Sequence, residues 1–123
     1  MRAEERDPAY LWDMLEAAQT IMGFMKGLAL EQFTADGKEA LIVRLAVERK
    51  LEILGEAARR ISVSFKQTHP EIPWSSIIGL RNVISHEYTR VDYDLIYRLI
   101  QRQLPALVDM LAPLIPPLPP EES

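Results

Sequence analysis

The chain lacks cysteine entirely and has only two histidines, His69 and His86, among its 123 residues. Without cysteine there can be no disulfide, no thiolate metal ligand and no thiol nucleophile. Two histidines do not make a dedicated zinc site unless carboxylates join them. We therefore expect no metal and no other cofactor.

Long apolar runs are absent as well. Charged residues interrupt each hydrophobic stretch within about a dozen residues, and the N-terminal MRAEERDPAY is charged where a signal peptide would be apolar. The length is typical of one domain. These features favour a soluble cytoplasmic protein with no membrane contact.

Basic residues are too few for a broadly cationic surface, since 14 Lys and Arg face 18 Asp and Glu, a net charge of -4. The excess acid lies in residues 1–36, which hold three basic and seven acidic side chains, so residues 37–123 are neutral. Any contact with nucleic acid must therefore be local.

Apolar residues recur every three or four positions along most of the chain, and no segment shows the alternation of a half-buried strand. This pattern predicts an all-α fold, an up-and-down bundle of four main helices without a sheet. The predicted spans are 8–31, 38–66, 74–86 and a last helix that continues past Pro105, where we expect a kink.

Polar residues that precede these spans are predicted to be N-caps. Asp7 stands before Pro8, which suits the first position of a helix. Asp36 and Glu39 have the form of a capping box for the second helix. Asp92 is predicted to cap the last helix.

Residues 1–112 are predicted to form one helical domain. The remainder, 113–123, holds five prolines and is predicted to be an extended, solvated and flexible tail. The second predicted helix carries an extra apolar line beside its main one. Such a wide apolar surface indicates burial on two sides, and a partner chain is one candidate for the second. The line consists of Ile42, Ala46, Ile53 and Ala57.

Residues 79–88, GLRNVISHEY, place four polar groups suited to phosphate or proton chemistry within eight residues. Arg81 offers a planar fork of donors that matches a phosphate and stays charged. His86 can accept a proton and return it near neutral pH. RNA cleavage without a metal needs a base for the 2'-hydroxyl, an acid for the leaving 5'-oxygen and a cation for the phosphorane. The other two polar groups are Asn82 and Tyr88.

The spacing of these residues limits what one helix can present. On a straight helix Arg81 and His86 point about 140° apart, whereas Asn82 and His86 share a face. A second copy of the motif, supplied by a symmetric partner, could complete the cleft. The motif therefore fits a dimer better than a monomer.

Each motif residue also has an ordinary structural interpretation. Arg81 could pair with a carboxylate such as Glu56. His86 could be a helix C-terminal residue favoured by the macrodipole, and Tyr88 could be a core tyrosine with its hydroxyl at the surface.

The element Arg81-x4-His86-x-Tyr88, preceded by IPWSSI, resembles the HepT-like branch of the HEPN superfamily, whose toxins are small all-helical ribonucleases. The similarity extends upstream to ERKLEILGEAARRIS, residues 48–62, and downstream to VDY and LPAL. It covers most of residues 38–108.

The resemblance implies a homodimer in which two motifs meet in one cleft and cleave RNA without a metal. It also implies the toxin role in a type II/VII-like toxin-antitoxin system. The implied antitoxin is a minimal nucleotidyltransferase encoded nearby, which neutralises the toxin by adenylylating the motif tyrosine, here Tyr88.

The same resemblance implies a role for each motif residue. His86 is the general base or acid, and Arg81 is the cation that binds the phosphate and stabilises the transition state. Asn82 orients the phosphate or His86, and Tyr88 contacts the substrate besides being the modification target.

Three residues of the second helix, Glu48, Arg49 and Glu56, are second-tier candidates for orienting the site. For each, a surface charge in an i, i+4 pair is the more ordinary interpretation. Trp74 is expected to pack on the bundle rather than to stack on a base. His69 has no partner signal, and we assign it no role.

Two other functions fit the same residues. One is a non-catalytic nucleotide-binding or adaptor subunit of a nucleotidyltransferase complex, which the acidic net charge favours. The other is a purely structural helical dimerisation module. Nucleotide binding without RNA cleavage would select the adaptor, whereas substitutions at Arg81 and His86 that change nothing would select the structural module.

Overall fold

The structure is a computed structural model that describes residues 3–84 and 91–115, with only the backbone of residues 81–84. No strand occurs in these two ranges, and the predicted all-α fold is confirmed. Six α-helices and a terminal 3-10 turn follow one another: α1 Ala3–Met25, α2 Leu30–Phe33, α3 Lys38–Arg60, α4 Val63–Thr68, α5 Trp74–Ile84, α6 Tyr93–Leu111 and the turn Ala112–Leu114.

Helix α3 is the centre of the bundle, because it packs along both α1 and α5, while α6 packs on α1. All these helices bury one apolar face in a single core. Fully buried members from α1, α2, α3 and α6 include Met14, Ile21, Phe33, Leu54 and Leu111.

The first helix differs from its predicted span of 8–31. It is already helical at Ala3, so Pro8 lies inside it and Asp7 is not its N-cap. The Asp7 carboxylate is instead buried and accepts hydrogen bonds from Ser62. Helix α1 ends at Met25 because Gly27 adopts a φ of 73°, a left-handed conformation that suits glycine.

The second predicted helix, 38–66, begins where expected but is interrupted. Helix α3 ends at Arg60, and Ile61 is extended, with φ -59° and ψ 141°. The Ser62 hydroxyl then caps a new helix, α4, by accepting a hydrogen bond from the Phe65 N–H at 3.2 Å. The capping box predicted for Asp36 is wrong, since Gly37 is the N-cap of α3 and no side chain caps it.

The last two helices follow the prediction closely. Helix α5 begins at Trp74, and it is described as far as Ile84. Asp92 caps α6 by accepting a hydrogen bond from the Leu95 N–H at 3.1 Å, and α6 continues through Pro105. The kink at Pro105 stays a prediction.

The predicted extended tail begins differently from the expectation. Its first residues form the turn Ala112–Leu114, and Leu114 and Ile115 pack against the core. Residues 116–123 lie outside the described part of the chain.

Candidate active site

The motif begins on the last turn of α5, which carries Arg81 and Asn82. Only the backbone of these two residues is described, and His86 and Tyr88 lie outside the described residues. The described structure therefore shows what holds the two helices that flank the motif.

Helix α5 is fixed at its start by Trp74. The indole Nε1 donates to the His69 carbonyl at 3.0 Å, and the ring packs edge-on against Phe65 with centroids 6.1 Å apart. Trp74 is 8% exposed, so the prediction that it packs on the bundle is confirmed. Further along α5, Ile77 and Leu80 are buried, and they hold the helix that leads to Arg81 against the core.

The direction of α5 follows from these contacts. Phe65 belongs to α4, and only residues 61 and 62 separate α4 from the end of α3. Because Trp74 contacts Phe65, it lies near the end of α3. Because α5 then packs along α3, it runs back toward the middle of that helix. The last turn of α5, with Arg81, is thereby directed toward the middle of α3.

Glu48 fixes the helix that follows the motif. Its Oε2 accepts a hydrogen bond of 2.7 Å from the hydroxyl of Tyr93, the first residue of α6. Burial, and then Glu48, raise the pKa of Tyr93, so its hydroxyl remains a donor at neutral pH. The ordinary interpretation of Glu48 as a surface charge in a helical pair is wrong, because its partner is 45 residues away.

Arg44 joins the same cluster, which the sequence analysis missed. Its Nη1 donates to the carbonyls of Phe33 and Ala35 at 2.9 and 2.8 Å. Its guanidinium also lies over the Tyr93 ring, 5.2 Å from the centroid. The sequence did indicate a role for Arg44, because an arginine inside the apolar run ALIVRLAV favours a half-buried guanidinium.

Arg49 and Glu56 are surface residues with close helical partners. Arg49 is 71% exposed and lies 4.0 Å from Glu52. Glu56 accepts hydrogen bonds from both Arg59 and Arg60, at distances between 2.7 and 3.1 Å. That either residue orients the motif stays a prediction.

A groove of about 580 Å³ lies between α1 and α3, and Arg49 and Glu56 are part of its lining. Three arginines, three carboxylates and a small apolar floor line it. The lining residues are Tyr10, Asp13, Arg49, Glu52, Ile53, Glu56, Ala57, Arg59 and Arg60.

The arginines of the groove lower the pKa values of two neighbouring side chains, Glu56 and Tyr10. Hydrogen bonds from Arg59 and Arg60 lower the pKa of Glu56 from 4.5 to about 2. Arg60, with a smaller contribution from Arg6, lowers the pKa of the Tyr10 hydroxyl. In both cases a hydrogen bond from an arginine is the largest cause of the shift in pKa.

Stability between pH 4.5 and 2 provides a test of the Glu56 cluster. Because the folded pKa is depressed, the ion pairs stabilise the fold above about pH 4.5, and this stabilisation is lost as the pH falls toward 2. We expect Glu56→Gln to lower the free energy of unfolding by about 1 kcal/mol at pH 7 and by less at pH 2.

Urea unfolding of both proteins across this range measures the difference. Glu31→Gln, at an exposed position on α2, is the matched control and should leave the pH profile unchanged. A Glu56→Gln protein whose profile runs parallel to that of the unsubstituted protein would contradict the assignment.

Within residues 3–84 and 91–115, no cluster of three or more histidine, aspartate or glutamate side chains could hold a metal ion. None of the helices described is long and apolar enough to cross a membrane.

Several known proteins are similar in sequence to this chain, and their names describe them as ribonucleases. A family model described as "Ribonuclease HepT-like" matches residues 14–114. The "Putative RNase MJ1380" of Methanocaldococcus jannaschii is 35% identical over 99 residues, which cover 80% of this chain and 87% of that protein. The "Probable ribonuclease HepT" of Thermococcus cleftensis is 36% identical over 107 residues, covering 87% of this chain and 92% of that protein.

No solved structure matches the chain. The family model nevertheless spans most of the sequence, and the relatives align over nearly their whole length. The chain therefore belongs to the ribonuclease HepT-like family of the HEPN superfamily.

Proposed function

We propose that this protein is a metal-independent endoribonuclease that serves as the toxin of a toxin-antitoxin pair. The observation that carries the proposal is the sequence order Arg81, His86 and Tyr88, which begins on the last described turn of α5, in a chain of a ribonuclease family. These side chains supply a phosphate-binding cation, a proton carrier and a phenol within eight residues.

The proposed reaction is an internal transesterification. His86, as the base, takes the proton of the 2'-hydroxyl, and the 2'-oxygen forms a bond to phosphorus. The bond from phosphorus to the 5'-oxygen breaks, and an acid returns a proton to that oxygen. Arg81 holds the phosphate and stabilises the charge of the phosphorane. The products end in a 2',3'-cyclic phosphate and a 5'-hydroxyl.

The described structure supports this proposal at both ends of the motif. Trp74 fixes the start of α5, and the hydrogen bond from Tyr93 to Glu48 fixes the start of α6. Helix α5 packs along α3, whereas α6 packs on α1 and is joined to α3 by this hydrogen bond. A rigid frame of this kind is what a catalytic arginine and histidine on neighbouring segments require.

A homodimer is part of the proposal, since one chain offers a single motif histidine and the reaction needs both a base and an acid. The exposed face of α3 supports it. Leu41, Ile42 and Leu45 are between 45% and 54% exposed, an apolar patch on consecutive turns of one helix. Ile42 belongs to the apolar line for which the sequence predicts a partner.

The proposed regulation is adenylylation of Tyr88 by a minimal nucleotidyltransferase encoded nearby. The added phosphodiester carries a negative charge and would compete with RNA for the donors of Arg81. Intact-mass spectrometry after co-expression should show AMP on Tyr88, and a Tyr88→Phe protein that is neutralised equally well would contradict this regulation.

The test of the enzyme is cleavage of RNA in the presence of EDTA. We expect cleavage products with 2',3'-cyclic phosphate ends, and no cleavage of the same oligonucleotide with 2'-O-methyl groups. Complete loss of activity in EDTA, or equal cleavage of the methylated oligonucleotide, would overturn the mechanism. Nucleotide binding without any RNA cleavage would favour the adaptor function.

A further inference from the structure

The groove between α1 and α3 has a composition that the motif does not explain. We propose that it is a second RNA-binding site, which takes the sugar-phosphate backbone of a single strand away from the scissile bond. This inference rests on the proposed function for the identity of the ligand. The described residues that line the groove belong to α1 and α3.

The first support is the arrangement of Arg59 and Arg60. One carboxylate, Glu56, holds both guanidinium groups, so the cluster keeps a net positive charge. Glu56 takes two N–H groups of Arg59 and one of Arg60, whereas a guanidinium offers five. The two side chains are 55% and 52% exposed, so several fixed donors face the solvent where a phosphate could bind.

The length of the groove suits a strand rather than a single small anion. Arg49 lies at the other end, about 16 Å from Arg60 along the α3 axis at 1.5 Å per residue. Arg49 is 71% exposed and makes only a loose contact with Glu52, at 4.0 Å. Cations at both ends can therefore bind successive phosphates of one strand.

The surface between the arginines suits the rest of a nucleotide. Ile53 and Ala57 form an apolar floor, and Tyr10 offers an aromatic ring on which a base can stack. Arg60, and less strongly Arg6, lower the pKa of its hydroxyl. The volume of about 580 Å³ lies within the usual range of about 300–1,000 Å³ for a small-molecule pocket.

The carboxylates in the groove are compatible with RNA. Asp13 and Glu52 carry acceptors that can bind the 2'-hydroxyl of a ribose, which DNA lacks. With three carboxylates against three arginines, the lining has no net charge, so the groove favours a ligand that presents both phosphates and hydroxyl donors. The apolar patch formed by Leu41, Ile42 and Leu45 lies at the other end of α3, so a partner chain could bind it beside an open groove.

Binding to an uncleaved strand tests the inference separately from catalysis. The probe is a fluorescein-labelled RNA twelve-mer that keeps its 2'-hydroxyls, and every protein in the series carries His86→Ala so that the strand stays intact. Binding is followed by fluorescence anisotropy at several salt concentrations. We expect the double variant Arg59→Ala with Arg60→Ala to bind about tenfold more weakly. Its slope of log K against log salt should fall by about 1.4, because each of the two lost phosphate contacts contributes about 0.7 for a single strand.

The matched control removes the same charge elsewhere. Arg98→Ala with Arg102→Ala changes two exposed arginines of α6, outside the groove, and should alter binding less than twofold. Equal weakening by both double variants would mean that only net charge matters, and would overturn the inference. Unchanged binding by the Arg59 and Arg60 variant would overturn it as well.

A second measurement uses the unsubstituted protein, so it does not depend on the variants folding. RNA that contains 4-thiouridine is cross-linked to the protein, and the adducts are mapped by mass spectrometry. We expect adducts on the peptides that carry Tyr10 and Ile53; their absence, with adducts elsewhere, would overturn the inference. If groove-dependent binding is found but no RNA is cleaved, the proposed function fails while the binding site stands.

Discussion

His86→Ala should lower the rate of RNA cleavage by about two to four orders of magnitude, the usual contribution of a general acid or base. No other motif side chain titrates near neutral pH, so none can replace its proton transfer. The loss should appear in kcat, because the side chain acts on the reacting atoms. Single-turnover cleavage of a labelled RNA in EDTA measures it.

The chain supplies a matched control in its other histidine. His69 follows α4, where its ring stacks on Phe65 with centroids 4.3 Å apart and Nδ1 lies 3.3 Å from Glu71. It lies outside the motif, so His69→Ala should leave the cleavage rate within a factor of two. If both alanine variants lose activity equally, or if neither does, His86 is not the proton carrier.

Arg81 offers an independent check of the same chemistry. Arg81→Lys keeps the positive charge but loses the planar fork that binds two phosphate oxygens, so it should recover only part of the activity lost in Arg81→Ala. Full activity in Arg81→Ala would remove the phosphate-binding role from this residue.

The fold class was predictable because apolar periodicity is a local property of the sequence. The spacing also located α5 and α6, and Asp92 was identified as a cap because its bonded N–H lies only three residues away. The break after Arg60 was not predictable in this way. The helical period continues through Ile61 and Phe65, and the interruption is held by Ser62, which bonds to a carboxylate 55 residues earlier.

The candidate site likewise combines features that local sequence predicts with contacts between residues far apart in the chain. Residue types and spacing were enough to propose Arg81, His86 and Tyr88 as site residues, and the pairing of Glu56 with Arg60 follows from helix geometry. The frame that holds the motif was not predictable. Tyr93 reaches Glu48 across 45 residues of sequence, and no local pattern indicates which carboxylate a distant hydroxyl will meet.

Asp7 has a structural role, but the role that the sequence predicts for it, an N-cap, is wrong. Its place before Pro8 is typical of an N-cap, yet the helix starts earlier and its carboxylate turns inward. Asp7 is 4% exposed and Ser62 7%. The two carboxylate oxygens accept from the Ser62 N–H at 2.9 Å and from its hydroxyl at 2.6 Å. This contact joins α1 to the corner between α3 and α4.

Asp7→Ala should therefore lower the free energy of unfolding by about 2–4 kcal/mol, because it leaves a buried N–H of Ser62 without its acceptor and removes two charge-assisted bonds. Asp7→Asn keeps one acceptor oxygen and should recover part of this loss. Urea unfolding followed by circular dichroism measures both. Asp109→Ala, at an exposed position on α6, is the control and should change stability by less than about 0.5 kcal/mol.

A double-mutant cycle separates the contact from the cap. Ser62→Ala alone loses the hydroxyl bond to Asp7 and the cap of α4, the latter worth about 1 kcal/mol, but keeps the bond from its backbone N–H to Asp7. If the contact stabilises the corner, the effects of Asp7→Ala and Ser62→Ala should fall short of additivity by at least about 1 kcal/mol. Strictly additive effects would show that the two residues stabilise the fold independently, and that Asp7 does not hold α1 to the end of α3.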